Sequence, residues 1–144
     1  MHVNLYWEDV VEGQELPQVI KRPSKRQLVM YAGASGDFYE VHYDNDFAVK
    51  IGLPGLIVHG ALKNAYLAQV VTDWMGPEGV VKKLSVKYRG TDVPDDTLTC
   101  SGRVTKIYVN GESHQVDCAL VLLNSSGEQT TTGTATVILP SRGS

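Results

Sequence analysis

An acidic residue and a histidine stand five positions apart in a segment that follows a glycine: Gly36, Asp37 and His42. In a loop, these two side chains can converge on one small volume. The carboxylate can then accept a proton from water, and the imidazole can orient that water or share its proton. The structural interpretation is that Asp37 caps the next turn and that His42 is a hydrogen-bonded structural residue. Spacing alone leaves both interpretations open and favours the structural one.

Other site chemistries find little support in the same region. The acidic and imidazole side chains from Asp37 to Asp44 do not have the spacing of zinc ligands. The run Asp44-Asn45-Asp46 resembles the start of a calcium loop but lacks its later glycine and glutamate. The run Gly33-Ala34-Ser35-Gly36 lacks the preceding strand and the following Lys-Ser/Thr of a phosphate loop. We therefore expect no metal and no phosphate-binding loop.

The composition is that of an ordinary globular domain. The 144-residue chain is 42% hydrophobic and 20% charged, with a formal net charge of −3. These values argue against disorder and against nonspecific nucleic-acid binding. No apolar run approaches the roughly 20 residues of a membrane span, and residues 1–8 do not resemble a signal peptide. We expect a cytoplasmic protein without membrane association, in which Cys100 and Cys118 are reduced core residues.

The first half of the chain predicts helices around a long loop. Ser24 is a suitable N-cap for a helix over Lys25–Ala32, which Gly33 and Gly36 would end. Within the irregular region 37–59, one or two helical turns over 46–50 have Asp44 near their N-cap. A loop of this length is uncommon unless it has a function.

A longer helix is predicted from Gly60 to Gly76-Pro77. Its apolar residues cover more than one face, which is typical of a buried helix. The apolar positions are Ala61, Leu62, Ala65, Leu67, Ala68 and Val71.

From Val80 onward the hydrophobic period changes to two, which predicts strands. Asn110-Gly111 is a strong hairpin signal. We therefore predict a four-stranded antiparallel meander wrapped round the buried helix, an α+β architecture in one domain. After a first strand near Leu84–Tyr88, the strands would cover Thr97–Tyr108, His114–Leu123 and Gln129–Leu139.

Taken together, these segments resemble the MaoC-like hydratase family, which includes the (R)-specific enoyl-CoA hydratases and has the hotdog fold. The resemblance is carried by Gly36-Asp37, by His42, and by His59-Gly60, with Gly60 eighteen residues after His42. The lead Trp7–Gln14 and the segment 86–98 are similar to less specific parts of the family, so that most of the chain is covered. The resemblance implies a single hotdog domain over residues 1–140, with a curved antiparallel sheet wrapped round a long central helix. Residues 141–144 are assigned no function, and their sequence is compatible with a cloning remnant.

The resemblance also implies an activity, the hydration of a trans-2-enoyl-CoA to the (3R)-3-hydroxyacyl-CoA. Asp37 and His42 match the catalytic pair that holds and deprotonates water. Gly60 matches the residue whose backbone N–H stabilises the thioester oxyanion, as a helix N-terminus can. No cofactor is implied, since CoA is part of the substrate.

The chain departs from the family pattern at two places in the substrate pocket. Tyr39-Glu40 replaces the usual Asn-Pro, and Ala68 stands where a small hydroxyl residue is frequent. Glu40 would either pair with a cation or crowd Asp37 and raise its pKa. His59, a further pocket candidate, is expected to be a hydrogen-bonded core residue that braces the loop.

The expected partner beyond the acyl-CoA is a second chain. An exposed sheet edge needs a cover, and hotdog proteins dimerise through it, which implies a homodimer with the site at its interface. The segments 37–44 and 71–77 are similar to small MaoC-like subunits of actinobacterial steroid side-chain degradation, which pair with a second MaoC-like chain. Two alternatives stay open: a noncatalytic or half-catalytic acyl-CoA-binding subunit, favoured by Tyr39-Glu40, and a hotdog acyl-CoA thioesterase. Four cationic side chains would either bind the CoA phosphates or form the solvent-exposed face of a strand. They are Lys82, Lys83, Lys87 and Arg89.

Overall fold

The computed structural model describes residues 3–143 as three helices and one five-stranded sheet. The helices are α1 (Lys25–Ser35), α2 (Asn45–Lys50) and α3 (Gly60–Met75). The strands are β1 (Glu15–Lys21), β2 (Val80–Tyr88), β3 (Leu98–Asn110), β4 (Ser113–Leu123) and β5 (Gln129–Ile138). Two 3₁₀ turns cover Trp7–Asp9 and Glu40–His42.

The sheet is antiparallel throughout, in the order β1-β3-β4-β5-β2. Helix α3 contacts all five strands, so the sheet curves around it. Burial of apolar side chains between these two layers is the main stabilising contribution. The expectation of an α+β domain with a long central helix is confirmed. The shared core includes Leu62, Leu67, Val70, Leu98, Val116 and Leu122.

The predicted four-stranded meander is wrong in its first strand. Strands β3, β4 and β5 do form a meander, and Gly111 has the positive φ of +64° that its hairpin turn requires. Strand β2, however, pairs with β5, from Val80 opposite Ile138 to Tyr88 opposite Thr131. It cannot lie beside β3, because β1 occupies that edge.

Strand β1 was not predicted. It contains Pro17, and of its side chains only Leu16 is buried. A short edge strand with a proline carries little of the alternation that identifies a strand.

The helix caps follow the sequence signals with one exception. The Ser24 side chain accepts a hydrogen bond from the Gln27 N–H at 3.1 Å, and Asp44 accepts one from the Phe47 N–H at 3.1 Å. Gly33 does not end α1, because the helix continues to Ser35. Gly36, with φ of +77°, forms the C-cap.

Helix α3 has the predicted bounds but is not buried on all sides. Ala61 and Ala65 are exposed, and the buried face includes a charged residue, Lys63. The expectation of a helix buried nearly all round is therefore wrong for one face, because small alanines are compatible with either environment.

Both cysteines are buried and free, as expected. Burial raises the pKa of Cys100 to about 11 and that of Cys118 to about 12. None of the helices within residues 3–143 is long and apolar enough to cross a membrane. The cytoplasmic location stays a prediction.

The segments 8–9 and 141–142 contact each other. Arg142 forms a bidentate ion pair with Asp9 at 2.8 Å, and Ser141 hydrogen-bonds Glu8. His2 and Ser144 lie outside the described residues.

Candidate active site

Two short turns bring Asp37 and His42 together. The Asp37 N–H donates to the Ser35 hydroxyl at 3.2 Å, and one carboxylate oxygen of Asp37 accepts the Tyr39 N–H at 3.4 Å. The chain then enters the turn Glu40–His42, where Val41 is buried. The second carboxylate oxygen, Oδ2, lies 3.7 Å from Nε2 of His42. The structure therefore brings the two predicted residues together.

The orientation of His42 follows from its other nitrogen. Nδ1 lies 2.8 Å from the carbonyl oxygen of Ile57. A carbonyl only accepts hydrogen bonds, so Nδ1 carries the proton and the neutral ring has its lone pair on Nε2. The carboxylate of Asp37 and Nε2 of His42 are then two acceptors that face each other. A water molecule between them can donate one proton to each side.

His59 extends this pair into a cluster. Its ring is fully buried and stacks on the ring of His42, with 3.7 Å between centroids and 21° between planes, while the ring of Tyr31 meets it edge-on at 4.8 Å. Neither nitrogen of His59 has a hydrogen-bond partner among the described residues. The expectation of a buried residue is confirmed, but that of a hydrogen-bonded one is wrong. Stacking between two aromatic rings positions His59 instead.

The environment of His59 favours its neutral form. Burial is the largest cause that lowers its pKa, and repulsion from His42 acts in the same direction. Asp37 lies near the ring without a well-formed hydrogen bond to it. Its backbone and its charge raise the pKa of His59 and so oppose the lowering in part.

Gly60 lies directly beside the cluster, at the first position of α3. The preceding residue, His59, gives no side-chain cap to this helix end, and its carbonyl accepts the Lys63 N–H at 3.2 Å as the first helical bond. The first N–H groups of a helix have no acceptor within the helix. The N–H of Gly60 is thus available to an anionic oxygen at the positive end of the helix dipole.

A tyrosine that sequence reasoning missed covers Gly60. A Cβ on Gly60 would lie 3.0 Å from Cζ of Tyr88, so glycine permits this close approach. Tyr88 ends β2, and its alternation with Leu84 and Val86 was the one signal that it points toward the helix. Burial raises the pKa of Tyr88, and Tyr31 raises it further.

A buried ion pair behind Gly60 was also missed. Nζ of Lys63 donates to a carboxylate oxygen of Asp92 at 3.0 Å and to the carbonyl of Gly90 at 3.0 Å. The Thr130 hydroxyl donates to the same oxygen of Asp92 at 2.6 Å. Nothing in the sequence indicates this pair, since a single lysine in a helix is ordinarily solvated.

The remaining pocket candidates lie at different distances from the pair. The ring of Tyr39 meets the rings of His42 and Phe47 edge-on at 6.2 and 6.0 Å, which places it beside the pair. Glu40 is exposed and takes part in no salt bridge within residues 3–143. Ala68 lies eight residues along α3 from Gly60, about 12 Å at the helical rise, and is outside the cluster.

The cluster contains the donor types of a metal site. One ligand atom from each of Asp37, His42 and His59 lies within 4.8 Å of the others. The stacking of the two imidazoles opposes this use, because the lone pairs of stacked rings point side by side and not at one common point. The geometry suits a bound water better, and the absence of a metal stays a prediction.

An apolar surface groove includes two residues that neighbour the pair in the chain. A groove of about 430 Å³ is lined by Val29, Ala32, Phe38 and Tyr43, and the last two residues directly follow Asp37 and His42. The Asp37 side chain is 45% exposed. An apolar groove beside a few convergent polar groups is typical of a site for an apolar ligand.

Comparison with known proteins identifies a family and several relatives. The profile of the MaoC-like domain matches residues 9–124. The chain is 32% identical over 97 residues to the 3-oxo-4,17-pregnadiene-20-carboxyl-CoA hydratase beta subunit of Mycobacterium tuberculosis, covering 67% of this chain and 75% of that subunit. It is 28% identical over 141 residues to the (R)-specific enoyl-CoA hydratase of Rhodospirillum rubrum, covering 96% and 94% of the two chains. A chain in the crystal structure of the ChsH1–ChsH2 complex from Mycobacterium tuberculosis superposes with a TM-score of 0.81 at 28% identity, covering 90% and 98%.

Proposed function

The chain belongs to the MaoC-like domain family and has the hotdog fold, and we propose that it hydrates trans-2-enoyl-CoA thioesters to (3R)-3-hydroxyacyl-CoA and catalyses the reverse dehydration. The observation that carries this proposal is the 3.7 Å approach of two acceptors, Asp37 Oδ2 and His42 Nε2. They suit one water molecule and leave its oxygen free to attack. The relatedness to an (R)-specific enoyl-CoA hydratase supports the substrate class.

The first half of the proposed reaction takes place at the water. Nε2 of His42 orients it, and the carboxylate of Asp37 takes one of its protons. The oxygen forms a bond to C3 of the substrate while the C2–C3 double bond breaks. The proton that Asp37 has taken is then delivered to C2, so that the elements of water are added across the double bond.

The second half concerns the charge on the substrate. As oxygen adds to C3, the electron pair moves through C2 to the thioester oxygen, which becomes an enolate oxyanion. The free N–H of Gly60, at the start of α3, is the group that would stabilise this charge. Water exclusion strengthens such an interaction.

The proposed site needs a cover. Asp37 is 45% exposed, and Phe38 and Tyr43 beside it are 58% and 41% exposed. We propose that the acyl-CoA together with a second chain, as a homodimer or a heteromer, covers this surface. We assign no CoA-binding role to the cations Lys82, Lys83, Lys87 and Arg89. Lys87 and Arg89 line a surface groove together with residues of β5.

The experiment is the loss of the conjugated enoyl-thioester absorbance with purified protein alone. The panel extends from crotonyl-CoA to long-chain and steroid-like enoyl-CoAs, with Asp37→Asn in parallel. We expect turnover with a (3R)-hydroxyacyl product and a loss of about 10²- to 10⁴-fold in the variant. Asn retains the oxygen that accepts from the Tyr39 N–H, so the variant should fold. Equal rates for both proteins would contradict the proposal.

The relatedness to a hydratase beta subunit favours a second candidate. In it, the chain is a half-catalytic or noncatalytic partner that binds acyl-CoA within a heteromer. Tyr39-Glu40, in place of Asn-Pro, is the feature of this chain that fits such a role. A folded protein that is silent on every substrate alone, and active once a second MaoC-like chain is added, would support this candidate. Release of free CoA from a saturated acyl-CoA would instead indicate a thioesterase.

A further inference from the structure

Asp92 holds both sides of the turn that carries Gly60. Its backbone carbonyl accepts the N–H of Val58 at 2.8 Å, two residues before Gly60. Its carboxylate accepts from Nζ of Lys63 at 3.0 Å, three residues after Gly60. Gly60 is therefore enclosed in a ring that is closed by one backbone bond and one ion pair.

The ring is anchored to the sheet on its far side. The Thr130 hydroxyl binds the carboxylate of Asp92 at 2.6 Å, and the Thr130 carbonyl accepts the N–H groups of Arg89 and Gly90 at 2.8 and 3.1 Å. Lys63 adds a bond to the Gly90 carbonyl at 3.0 Å. The loop 89–92 thus joins the start of α3 to strand β5.

The pair is dry. Lys63 and Asp92 are each 2% exposed, and the second carboxylate oxygen of Asp92 has no partner among the described residues. Removing two charges from water costs free energy that the attraction between them often only offsets, so a buried pair is weak evidence for stability. A role in fixing geometry is a better explanation for its presence. The turn that it fixes carries the proposed oxyanion donor.

We infer that the Lys63–Asp92 ion pair positions the Gly60 N–H for the oxyanion. Lys63 and Asp92 are positioning residues that act through the turn 58–63. The inference rests on the proposed function, because it assigns a task to the N–H of Gly60. The ring of Tyr88 belongs to the same arrangement, since it contacts Gly60 and lies 5.6 Å from Nζ of Lys63.

The test removes both charges together, because a single removal leaves an unpaired buried charge. In Lys63→Met/Asp92→Asn, the introduced amide can still accept from the Thr130 hydroxyl, while the link to α3 is lost. We expect kcat to fall about 10- to 100-fold with KM little changed, as for a group that acts in the transition state. The urea-unfolding midpoint should stay close to that of the wild type.

A structural readout accompanies the kinetics. Hydrogen exchange of the Val58 and Lys63 amides, which are bonded to Asp92 and His59, should become at least about tenfold faster in the double variant. The matched control is Val137→Ala, a buried β5 position outside the site, which should lower the unfolding midpoint and leave kcat unchanged. Unchanged exchange of both amides in the double variant would show that the Lys63–Asp92 ion pair does not hold the turn 58–63, and would overturn the inference.

The remaining outcomes separate the two proposals. Faster exchange with an unchanged kcat would overturn the positioning role, and a kcat loss of equal size in Val137→Ala would assign the effect to stability alone. A wild-type protein that is silent on every enoyl-CoA overturns the proposed function, and the exchange rates then decide whether the ion pair holds the turn.

Discussion

Asp37 and His42 face each other through two acceptor atoms, Oδ2 and Nε2, which are 3.7 Å apart. The arrangement is fixed from the far side of the imidazole, where Nδ1 lies 2.8 Å from the carbonyl of Ile57. Ile57 is held in turn by its N–H, which donates to the Val41 carbonyl at 3.1 Å. A backbone contact 15 residues away along the chain thus decides which nitrogen of His42 meets the water.

Replacing His42 with two different amides separates its two nitrogens. In His42→Asn, the side-chain NH₂ can replace Nδ1–H toward Ile57, but no acceptor remains at the position of Nε2. In His42→Gln, the amide oxygen can approach the position of Nε2 while the bond to Ile57 is lost. We expect the Asn variant to be folded and about 10²-fold or more less active. The Gln variant should be less stable and retain more activity.

Steady-state hydration rates and urea-unfolding midpoints measured side by side provide the check. Greater residual activity in His42→Asn than in His42→Gln would show that Nε2 does not hold the water.

A methyl group on Gly60 should disturb the site through Tyr88. The added Cβ would lie 3.0 Å from Cζ and 3.2 Å from Cε1 of that ring, so that the ring or the helix start must shift. We expect Gly60→Ala to lose about tenfold in kcat with little change in stability, since alanine suits the first turn of a helix. Gly60→Ala/Tyr88→Ala removes the contact and should recover part of the loss. Additive effects of the two substitutions in this cycle would exclude the steric explanation.

Helix positions were predictable because each end has a local signal. Ser24, Gly36 and Asp44 act on backbone groups within a few residues, and the sequence shows both partners. Gly33 was misread for the same reason: a glycine within α1 carries the same signal as one at its end.

Strand order was not predictable in this way. Strand β2 pairs with β5 because β1 covers the edge of β3, and that edge is filled by residues more than 75 positions away along the chain. Hydrophobic alternation shows which residues face the core, but it does not show which edge is free. The meander prediction assumed that consecutive strands are neighbours, which is a tendency and not a rule.

The same distinction between local signals and long-range contacts applies to the candidate site. Asp37, His42 and Gly60 were found through a family pattern of spacings. The stacking of His59 on His42 and the pairing of Lys63 with Asp92 depend on contacts across 17 and 29 residues. A lysine in a helix is ordinarily solvated, and His59 was expected to be hydrogen-bonded; packing overrides both tendencies.

Asp95 is under backbone strain that glycine would relieve. It is the one non-glycine residue with a positive φ among residues 3–143, at +68°. Its N–H donates to the Pro23 carbonyl at 2.7 Å, a bond that any residue except proline retains. Relief of strain at this φ outweighs the added entropy of the unfolded chain, so we expect Asp95→Gly to raise the free energy of unfolding by about 0.5 kcal/mol. Asp95→Ala should be the less stable of the two variants in urea unfolding, and the reverse order would contradict this explanation.

His59 should make the protein less stable as the pH falls below about 6.5. Burial and the nearby His42 hold its pKa below the ordinary value in the folded chain. Below about pH 6.5 the unfolded chain therefore binds a proton that the folded chain does not. The free energy of unfolding should fall by up to about 1.4 kcal/mol per pH unit until the lowered pKa of the folded state is reached. Denaturant unfolding from pH 7.5 to pH 5 measures this slope.

The control is His59→Leu, a side chain of similar volume that does not titrate and needs no hydrogen bond. Titratable groups that do not interact with His59 cancel when the two pH profiles are subtracted. We expect a difference that grows as the pH falls, with the variant the less pH-sensitive protein. Parallel profiles would show that His59 takes up a proton as readily in the folded chain as in the unfolded one. The stacked, unpartnered imidazole beside His42 would then be solvated and not buried.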